Sequence, residues 1–175
     1  MKHFSIFGLT VLALTIFGFY YLSRKSTCCG GCVAHDHNHI ERTLAIIKPD
    51  AVAAGNAANI KTAIENSGFK IVAQKEITID KETAEKFYAT HKDKPFFNDL
   101  ISYITSGPSI VMILEKENAV SAWRNRMGAT DPEKADVGTI RQLYGTDIQR
   151  NAVHGSDSIE SAQKEIQIFF PEMTC

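Results

Sequence analysis

Asn151-Ala-Val-His154-Gly-Ser156-Asp-Ser158 is the stretch from which this 175-residue chain is best interpreted. It places one histidine after residues that are typical of a turn and just before a helix that we predict over residues 160–169. Ser156 and Ser158 are both good N-cap residues for that helix. A neutral histidine can act as a nucleophile near pH 7, and the N–H groups of a helix N-terminus bind anionic oxygen atoms. His154 is therefore the first candidate for a catalytic residue.

Further stretches accompany this octapeptide along the chain. They are Thr43-Leu-Ala-Ile-Ile-Lys48-Pro-Asp50, Phe87-Tyr88, Lys94-Pro95-Phe96-Phe97, Ser106-Gly107-Pro108, Met127-Gly128-Ala-Thr130-Asp-Pro132 and Gly138-Thr-Ile-Arg141. In order and spacing they resemble the sequence blocks of the nucleoside diphosphate kinase family, over roughly residues 41–170. A single short motif is weak evidence, whereas an ordered set of this kind is specific.

Apolar runs and turn residues predict a chain that alternates between strands and helices. Such alternation normally favours parallel βαβ units. The family resemblance instead implies an α+β fold for the domain at residues 41–175, with a ferredoxin-like antiparallel β-sheet covered by helices. The predicted strands cover residues 43–48, 69–79 and 109–114, with a short last strand within 145–153. The predicted helices cover residues 59–66, 81–90 with Asp80 as the cap, 95–103 starting at Pro95, 118–127 and 160–169, with a turn at Pro49-Asp50 and a loop over 128–139.

Residues 1–25 form a separate hydrophobic segment. The 19 residues from Phe4 to Leu22 carry no charge, and as a helix they would be about 28 Å long, close to the thickness of the bilayer core. We therefore predict a single transmembrane helix ahead of the catalytic domain. Arg24 and Lys25 follow it, and the positive-inside rule then favours a membrane-anchored protein with a cytoplasmic C-terminal domain. The alternatives are a buried core helix and a cleaved signal peptide, which would make the protein secreted or periplasmic.

Residues 26–40 form a tether that is rich in cysteine and histidine. Thiols and imidazoles so close together are candidate ligands for zinc or copper. Cysteines next to a membrane are also candidates for palmitoylation, and a plain flexible tether is the third interpretation. Outside this segment Cys175 is the only cysteine, so the folded domain needs no disulfide, which is typical of a reducing compartment. The candidate metal ligands are Cys28, Cys29, Cys32, His35, His37 and His39.

The charge balance argues against nucleic acid as a general partner. The chain has 19 Lys and Arg residues against 20 Asp and Glu residues, for a formal net charge of −1, so a phosphate site would need local positive charge. Lys48, Arg124 and Arg141 are candidates for it. The sequence has neither a Walker A pattern nor the glycine loop of protein kinases. A chain of this kind would therefore handle nucleotides by other means.

The resemblance implies a nucleoside diphosphate kinase that works by a ping-pong mechanism. His154 would accept the γ-phosphoryl group of a nucleoside triphosphate and donate it to a nucleoside diphosphate. Magnesium would arrive bound to the nucleotide rather than in a metal site of the protein. The resemblance also implies a homo-oligomer, either a tetramer or a hexamer.

The resemblance further assigns residues to the nucleotide. Phe96 and Ile148 would contact the base, and Asn151 would contact the sugar together with Lys48. Ser156 and Glu165 would support the histidine from behind. The full set placed around the nucleotide is Lys48, Tyr88, Phe96, Arg124, Thr130, Arg141, Ile148 and Asn151.

Each of these residues also has an ordinary structural interpretation. Without the resemblance, Arg124 and Arg141 would be solvated surface residues, Phe96 and Ile148 would belong to the core, and Glu165 would be a surface carboxylate. Two other functions are compatible with the chain. One is a scaffold that works through its tail, and the other is a secreted kinase that acts on extracellular nucleotides.

Overall fold

A computed structural model of the chain describes residues 40–173. Within this range a single sheet has the strand order β2-β3-β1-β4, and every strand pair in it is antiparallel. The ferredoxin-like antiparallel fold that the resemblance implies is confirmed, and the parallel arrangement that simple alternation favours is wrong. The strands are β1 (Ile40–Ile47), β2 (Lys70–Thr78), β3 (Pro108–Glu117) and β4 (Val153–Gly155).

Helices connect and cover these strands. The two longest are α2 and α7, and short 3₁₀ turns lie at Ala89–His91, Pro132–Lys134 and Pro171–Met173. The α-helices of residues 40–173 are α1 (Pro49–Ala53), α2 (Ala57–Asn66), α3 (Lys81–Phe87), α4 (Phe97–Ile104), α5 (Ala119–Met127), α6 (Ile140–Tyr144) and α7 (Ile159–Phe169).

The central strands are buried on both faces of the sheet. Along β1, Ala45 and Ile47 pack into one apolar cluster, whereas Leu44 and Ile46 pack into a second. Helices α2 and α5 contribute to the first cluster, and α3, α4 and α7 contribute to the second. Because side chains alternate between the faces of a strand, a strand covered on both sides reads as a continuous apolar run. That pattern is shared with parallel strands, so a continuous apolar run does not distinguish the two arrangements.

Several predicted element bounds need correction. The expected turn at Pro49-Asp50 is the first turn of α1, with proline at a first-turn position where it loses no hydrogen bond. The helix predicted from Pro95 begins at Phe97. The helix capped by Asp80 ends at Phe87, and the chain then tightens into a 3₁₀ turn. Helix α6 was not predicted, because five residues are too few for a clear periodicity.

The last strand differs from its prediction in a way that concerns the candidate nucleophile. We expected the strand within residues 145–153, ahead of His154, but β4 contains His154 as its middle residue. Ser158, and not Ser156, is the N-cap of α7, because its hydroxyl accepts a hydrogen bond from the N–H of Ser161. Ser156 is fully buried and serves a different purpose, described below.

The N-terminal predictions lie outside the described residues. This applies to the hydrophobic segment at residues 4–22 and to the cysteine and histidine residues at positions 28–39. No helix within residues 40–173 has the length and apolar character needed to cross a membrane.

Candidate active site

One wide cavity gathers nearly all of the predicted site residues. Its volume is about 1120 Å³, enough for a nucleotide-sized ligand. Of the predicted residues within 40–173, only Ser156 is absent from its lining. The predicted residues that line it are Lys48, Tyr88, Phe96, Arg124, Thr130, Arg141, Ile148, Asn151, His154 and Glu165.

His154 reaches this cavity from β4, where it pairs with Ile46 of β1. Its Nε2 atom lies 3.1 Å from Oε2 of Glu165 on α7. A carboxylate can only accept a hydrogen bond, so Nε2 carries the proton and the lone pair of the neutral ring lies on Nδ1. The side chain is 21% exposed. The structure thus leaves Nδ1 as the nucleophilic atom of the imidazole.

Behind the histidine, a short chain of hydrogen bonds fixes the carboxylate of Glu165. The hydroxyl of Ser156 donates to Oε2 of Glu165 at 2.8 Å. The same hydroxyl oxygen accepts the backbone N–H of Leu44 at 3.2 Å. A partner that is itself held in place orients the imidazole and stabilises positive charge on it. Ser156 therefore acts on His154 through Glu165, from outside the cavity.

Aromatic side chains contact His154 and the rest of β4. The ring of Phe87 meets the His154 imidazole edge to face, with centroids 4.9 Å apart. The indole N–H of Trp123 donates to the carbonyl of His154 at 3.1 Å. A Cβ atom on Gly155 would lie 2.3 Å from the same indole ring, so only glycine fits there. Neither Phe87 nor Trp123 was among the predicted site residues, although Phe87 stands beside Tyr88 in the Phe87-Tyr88 motif.

Lys48 and Asn151 form the polar side of the cavity floor. Lys48 follows β1 directly and is only 7% exposed. Its ammonium group donates to Oδ1 of Asn151 at 2.6 Å and to the carbonyl of Gln149 at 3.3 Å. Burial lowers the pKa of Lys48 to about 8, with a further contribution from the positive charge of Arg141. We call Lys48, Asn151, His154 and Glu165 the floor of the cavity.

Asn151 joins this floor to two loops. It is 2% exposed, and its amide nitrogen donates to the carbonyl of Thr130 and to that of Ile148, each at 2.9 Å. A buried carboxamide with this many partners is held in one orientation. Thr130 and Ile148 are thereby tied to the residue that stands three positions before His154.

Two arginines add to the positive charge of the site. Arg141 donates to the carbonyls of Gly128 and Val153, at 3.0 and 3.2 Å. Burial lowers its pKa to about 10, with a further contribution from the charge of Arg124. Within residues 40–173, no carboxylate forms an ion pair with Lys48, Arg124 or Arg141. Three cations without a carboxylate in ion-pair contact favour the binding of an anion.

The mouth of the cavity, defined here by Phe96 and Ile148, is different in character. Phe96 is 50% exposed and Ile148 is 63% exposed. The alternative that these two residues belong to the core is therefore wrong. An exposed ring and an exposed aliphatic side chain offer apolar surface to a flat ligand without selecting its polar edge.

Tyr88 closes one wall of the cavity at the end of α3. It is 7% exposed. Burial raises the pKa of its phenol, and the nearby charge of Glu165 raises it further. The hydroxyl thus stays protonated and can donate a hydrogen bond to a bound anion.

The described residues offer no metal cage. Between residues 40 and 173, no group of three or more His, Cys, Asp or Glu side chains is placed to hold a metal ion. The candidate ligands of the N-terminal tail lie outside this range.

Known proteins of one family match this chain over most of its length. A family model described as Nucleoside diphosphate kinase matches residues 41–175. The nucleoside diphosphate kinase of a Nitratiruptor species is 56% identical over 133 residues, which cover 76% of this chain and 97% of that protein. That of Wolbachia sp. subsp. Brugia malayi is 55% identical over 133 residues, which cover 76% of this chain and 96% of that protein.

Solved structures are similar over the same part of the chain. The nucleoside diphosphate kinase of Aquifex aeolicus superimposes with a TM-score of 0.75 at 40% identity, covering 78% of this chain and 99% of that one. A nucleoside diphosphate kinase from Halobacterium salinarum, in complex with CDP, superimposes with a TM-score of 0.73 at 46% identity, covering 75% of this chain and 88% of that one.

Proposed function

Since this chain belongs to the nucleoside diphosphate kinase family, we propose that His154 is the residue that carries the phosphoryl group from one nucleotide to the next. The chain is a phosphotransferase of that family, and a ping-pong mechanism through a phosphohistidine is characteristic of the family. The single observation that supports His154 is its geometry. Nε2 is engaged by Glu165, and Nδ1 is left for chemistry in a cavity with three unpaired cations.

In the first half-reaction, Nδ1 of His154 attacks the γ-phosphorus of a nucleoside triphosphate. A bond forms from Nδ1 to phosphorus, and the bond from phosphorus to the bridging oxygen breaks. The nucleoside diphosphate leaves with that oxygen and its electron pair. The ring becomes a phosphorylated imidazolium, and the carboxylate of Glu165 stabilises its positive charge. In the second half-reaction a different nucleoside diphosphate attacks the phosphorus and releases the histidine.

The cations of the cavity stabilise the charge of the transferred group. Phosphoryl transfer needs donors directed at the equatorial oxygens more than it needs proton transfer. We assign Lys48, Arg124 and Arg141 to this task, with Tyr88 and Thr130 as further donors. Two of the five N–H groups of Arg141 donate hydrogen bonds to backbone carbonyls, so its remaining N–H groups are held in a fixed direction.

The rest of the nucleotide then extends toward the mouth. We assign Asn151 and Lys48 to the sugar hydroxyls, and Phe96 and Ile148 to the two faces of the base. CDP in the related Halobacterium salinarum structure supports a nucleoside diphosphate as the ligand. Because Phe96 and Ile148 would contact only the faces of the base and not its polar edge, we expect several bases to be accepted.

Magnesium enters the reaction as part of the substrate. The nucleotide would bring the ion to the cavity, where it neutralises charge on the β- and γ-phosphates. Removal of magnesium by EDTA should therefore abolish turnover, and restored magnesium should recover it. Turnover at the full rate in EDTA would contradict this role of the ion.

The assignment of His154 is tested with the full-length protein and γ-labelled ATP. The expected product is an acid-labile, base-stable phosphoryl group that GDP discharges as labelled GTP. A folded His154→Ala variant should neither take up nor transfer label. Absence of label on folded wild-type protein, or retained label on His154→Ala, would overturn the assignment.

We also propose that residues 4–22 anchor the protein in a membrane, with the catalytic domain in the cytoplasm. The support is the uncharged 19-residue stretch followed by Arg24 and Lys25. Mass analysis of the mature N-terminus, together with membrane fractionation, tests it. An intact N-terminus in the membrane fraction is expected, whereas a cleaved N-terminus would favour the secreted alternative.

We propose in addition that the catalytic domain assembles as a homo-oligomer, which is the expectation from the family resemblance. Light scattering on the purified full-length protein would distinguish a tetramer from a hexamer. A monomeric mass that persists at high concentration would overturn this proposal.

A further inference from the structure

Asp50 lies beside the site and has no part in the mechanism above. Its two carboxylate oxygens accept hydrogen bonds from different parts of the chain. Oδ1 accepts the hydroxyl of Tyr103 on α4 at 2.6 Å, and Oδ2 accepts the backbone N–H of Ala152 at 3.0 Å. A carboxylate with one donor on each oxygen is held in a fixed orientation.

Ala152 has an unusual backbone. Its φ angle is +66°, in the left-handed region that costs an alanine about 1–2 kcal/mol. The N–H of Val153 donates to the carbonyl of Asn151 at 2.7 Å, which closes a three-residue turn with Ala152 at its centre. A turn of this kind with a positive central φ is rare and strained, and it persists only when its surroundings hold it.

One short segment, from Lys48 to Asp50, holds this turn in place. The N–H of Lys48 donates to the carbonyl of Ala152 at 2.9 Å, and Asp50 accepts the N–H of the same residue. Both polar groups of the Ala152 backbone are thus engaged by the start of α1. Ala152 is fully buried, so no water can replace these partners.

The turn decides where two site residues point. Asn151 is the first residue of the turn, and its side chain accepts a hydrogen bond from the ammonium group of Lys48. His154 follows the last residue of the turn directly and is the middle residue of β4. A displaced turn would therefore move the nucleophile relative to Lys48. A misplacement of about 1 Å in a catalytic group can cost about 10²-fold in rate.

We propose that Asp50 is a positioning residue whose carboxylate fixes the turn at residues 151–153 and thereby aims His154 into the cavity. The inference rests on the function proposed above, and it concerns a residue that touches neither substrate nor the reacting atoms.

The same carboxylate also acts on Lys48 through its charge. The negative charges of Asp50 and Asp147 partly oppose the lowering of the Lys48 pKa by burial and by Arg141. The other groups that face the ammonium are the uncharged Asn151, the carbonyl of Gln149 and the ring of Tyr103 at 5.8 Å. Removal of the Asp50 charge should therefore lower the pKa of Lys48 further, which a purely structural role would not do.

Three variants separate these effects in the full-length protein. Asp50→Ala removes both acceptor atoms. Asp50→Asn keeps both hydrogen bonds, with its oxygen toward Ala152 and its amide nitrogen toward the Tyr103 oxygen, but removes the charge. Tyr103→Phe removes only the bond to α4 and leaves the turn and the charge intact.

The first readout is the rate at which ATP phosphorylates His154 in a single turnover. Asp50→Ala should slow it by about tenfold to a hundredfold, and Tyr103→Phe should leave it within about twofold. Adding Ala152→Gly to Asp50→Ala should recover part of the rate, because glycine adopts a positive φ without a penalty. The proposal is overturned by a folded Asp50→Ala variant that reacts at the wild-type rate, or by Tyr103→Phe that slows the reaction as much.

The second readout does not depend on catalysis. Amide hydrogen exchange at Ala152 should accelerate in Asp50→Ala and stay slow in Tyr103→Phe, and the NMR titration of the Lys48 ammonium should move to lower pH in Asp50→Asn. Unchanged exchange and titration would overturn the inference even if His154 is labelled normally. Missing label on wild-type protein would instead count against the proposed function, and these two NMR measurements would still decide the role of Asp50.

Discussion

The floor and the mouth of the cavity are built in opposite ways. On the floor, Lys48 is 7% exposed and Asn151 is 2% exposed, and each side chain has fixed hydrogen-bond partners. At the mouth, Phe96 and Ile148 are at least half exposed. The floor holds the group that reacts, where small displacements cost rate. The mouth offers only apolar faces, which tolerate variation in the ligand.

This contrast predicts that changes on the floor act on the rate of chemistry, whereas changes at the mouth act on binding. The largest effect should come from His154→Ala. Without the nucleophile there is no covalent route, so we expect phosphoryl transfer between ATP and GDP to fall by more than about 10³-fold in a coupled assay.

His91→Ala is the matched histidine control for this loss. His91 lines the same cavity, but its ring lies near Tyr88 and Phe96 rather than against Glu165. The control variant should therefore keep the covalent route and most of the activity. A His154→Ala variant that retains more than about a tenth of the activity would refute the division of roles.

Lys48→Met should have the next largest effect. The substitution keeps most of the length of the side chain and removes its charge, so kcat/KM should fall by about 10²–10³-fold. Burial and Arg141 lower the pKa of Lys48 to about 8, which disfavours the charged form. The wild-type kcat/KM should therefore decline as the pH rises past about 8, because the ammonium group is then lost.

A profile of kcat/KM against pH checks both statements. Lys61→Met is the control, since Lys61 lies on α2 and does not line the cavity. It should retain the wild-type rate and the wild-type decline at alkaline pH. A Lys48→Met variant that shows the same alkaline decline as the wild type would assign that decline to another group.

Glu165→Gln should have an intermediate effect. Glutamine can still accept the N–H of His154, but it cannot balance the charge of the phosphorylated imidazolium. We expect kcat to fall by about 10–100-fold with little change in KM. Glu160→Gln, at an exposed position of the same helix, should leave both constants unchanged. Steady-state kinetics with equal losses in the two variants would show that helix charge, and not the contact with His154, is responsible.

Phe96→Ala should have the smallest effect on the rate of chemistry, and its loss should fall on KM. Loss of one stacking face is worth about 1–3 kcal/mol, and the floor is untouched, so the single-turnover rate at saturating ATP should stay near that of the wild type. Val137→Ala is the control, because Val137 is 93% exposed and does not line the cavity. A drop in the saturating rate of Phe96→Ala would mean that the mouth also positions the phosphates.

Much of the site could be predicted from the sequence because its residues stand in short, chemically specific motifs. Seven of the ten predicted residues that line the cavity stand in such motifs, and Arg124, Ile148 and Glu165 were added by the family resemblance. Ser156 shows the limit of such a prediction. As a serine before a helix it was a candidate cap, and only the family resemblance placed it with Glu165 behind the histidine. Its hydroxyl connects Leu44 to Glu165 across the sheet. Only the pairing of β1 with β4 creates that connection.

The strand order shows the same limit for the fold. Alternating elements and continuous apolar runs are equally compatible with parallel and antiparallel sheets when both faces are covered. The roles of residues 4–22 and of the tail at residues 28–39 are inferred from composition alone, so they stay predictions.

The sequence by itself determined the family, and it predicted the nucleophile and the cations that accompany it, because reaction chemistry restricts which residue types can stand at those positions. The tertiary structure decided which nitrogen of His154 is free, how far the pKa of Lys48 falls, and that Asp50 holds the turn before the nucleophile. These properties depend on burial and on contacts between residues far apart in the chain, such as Asp50 with Ala152. No local pattern in the chain encodes such contacts, so they are fixed only when the strands of the sheet pair in the native register.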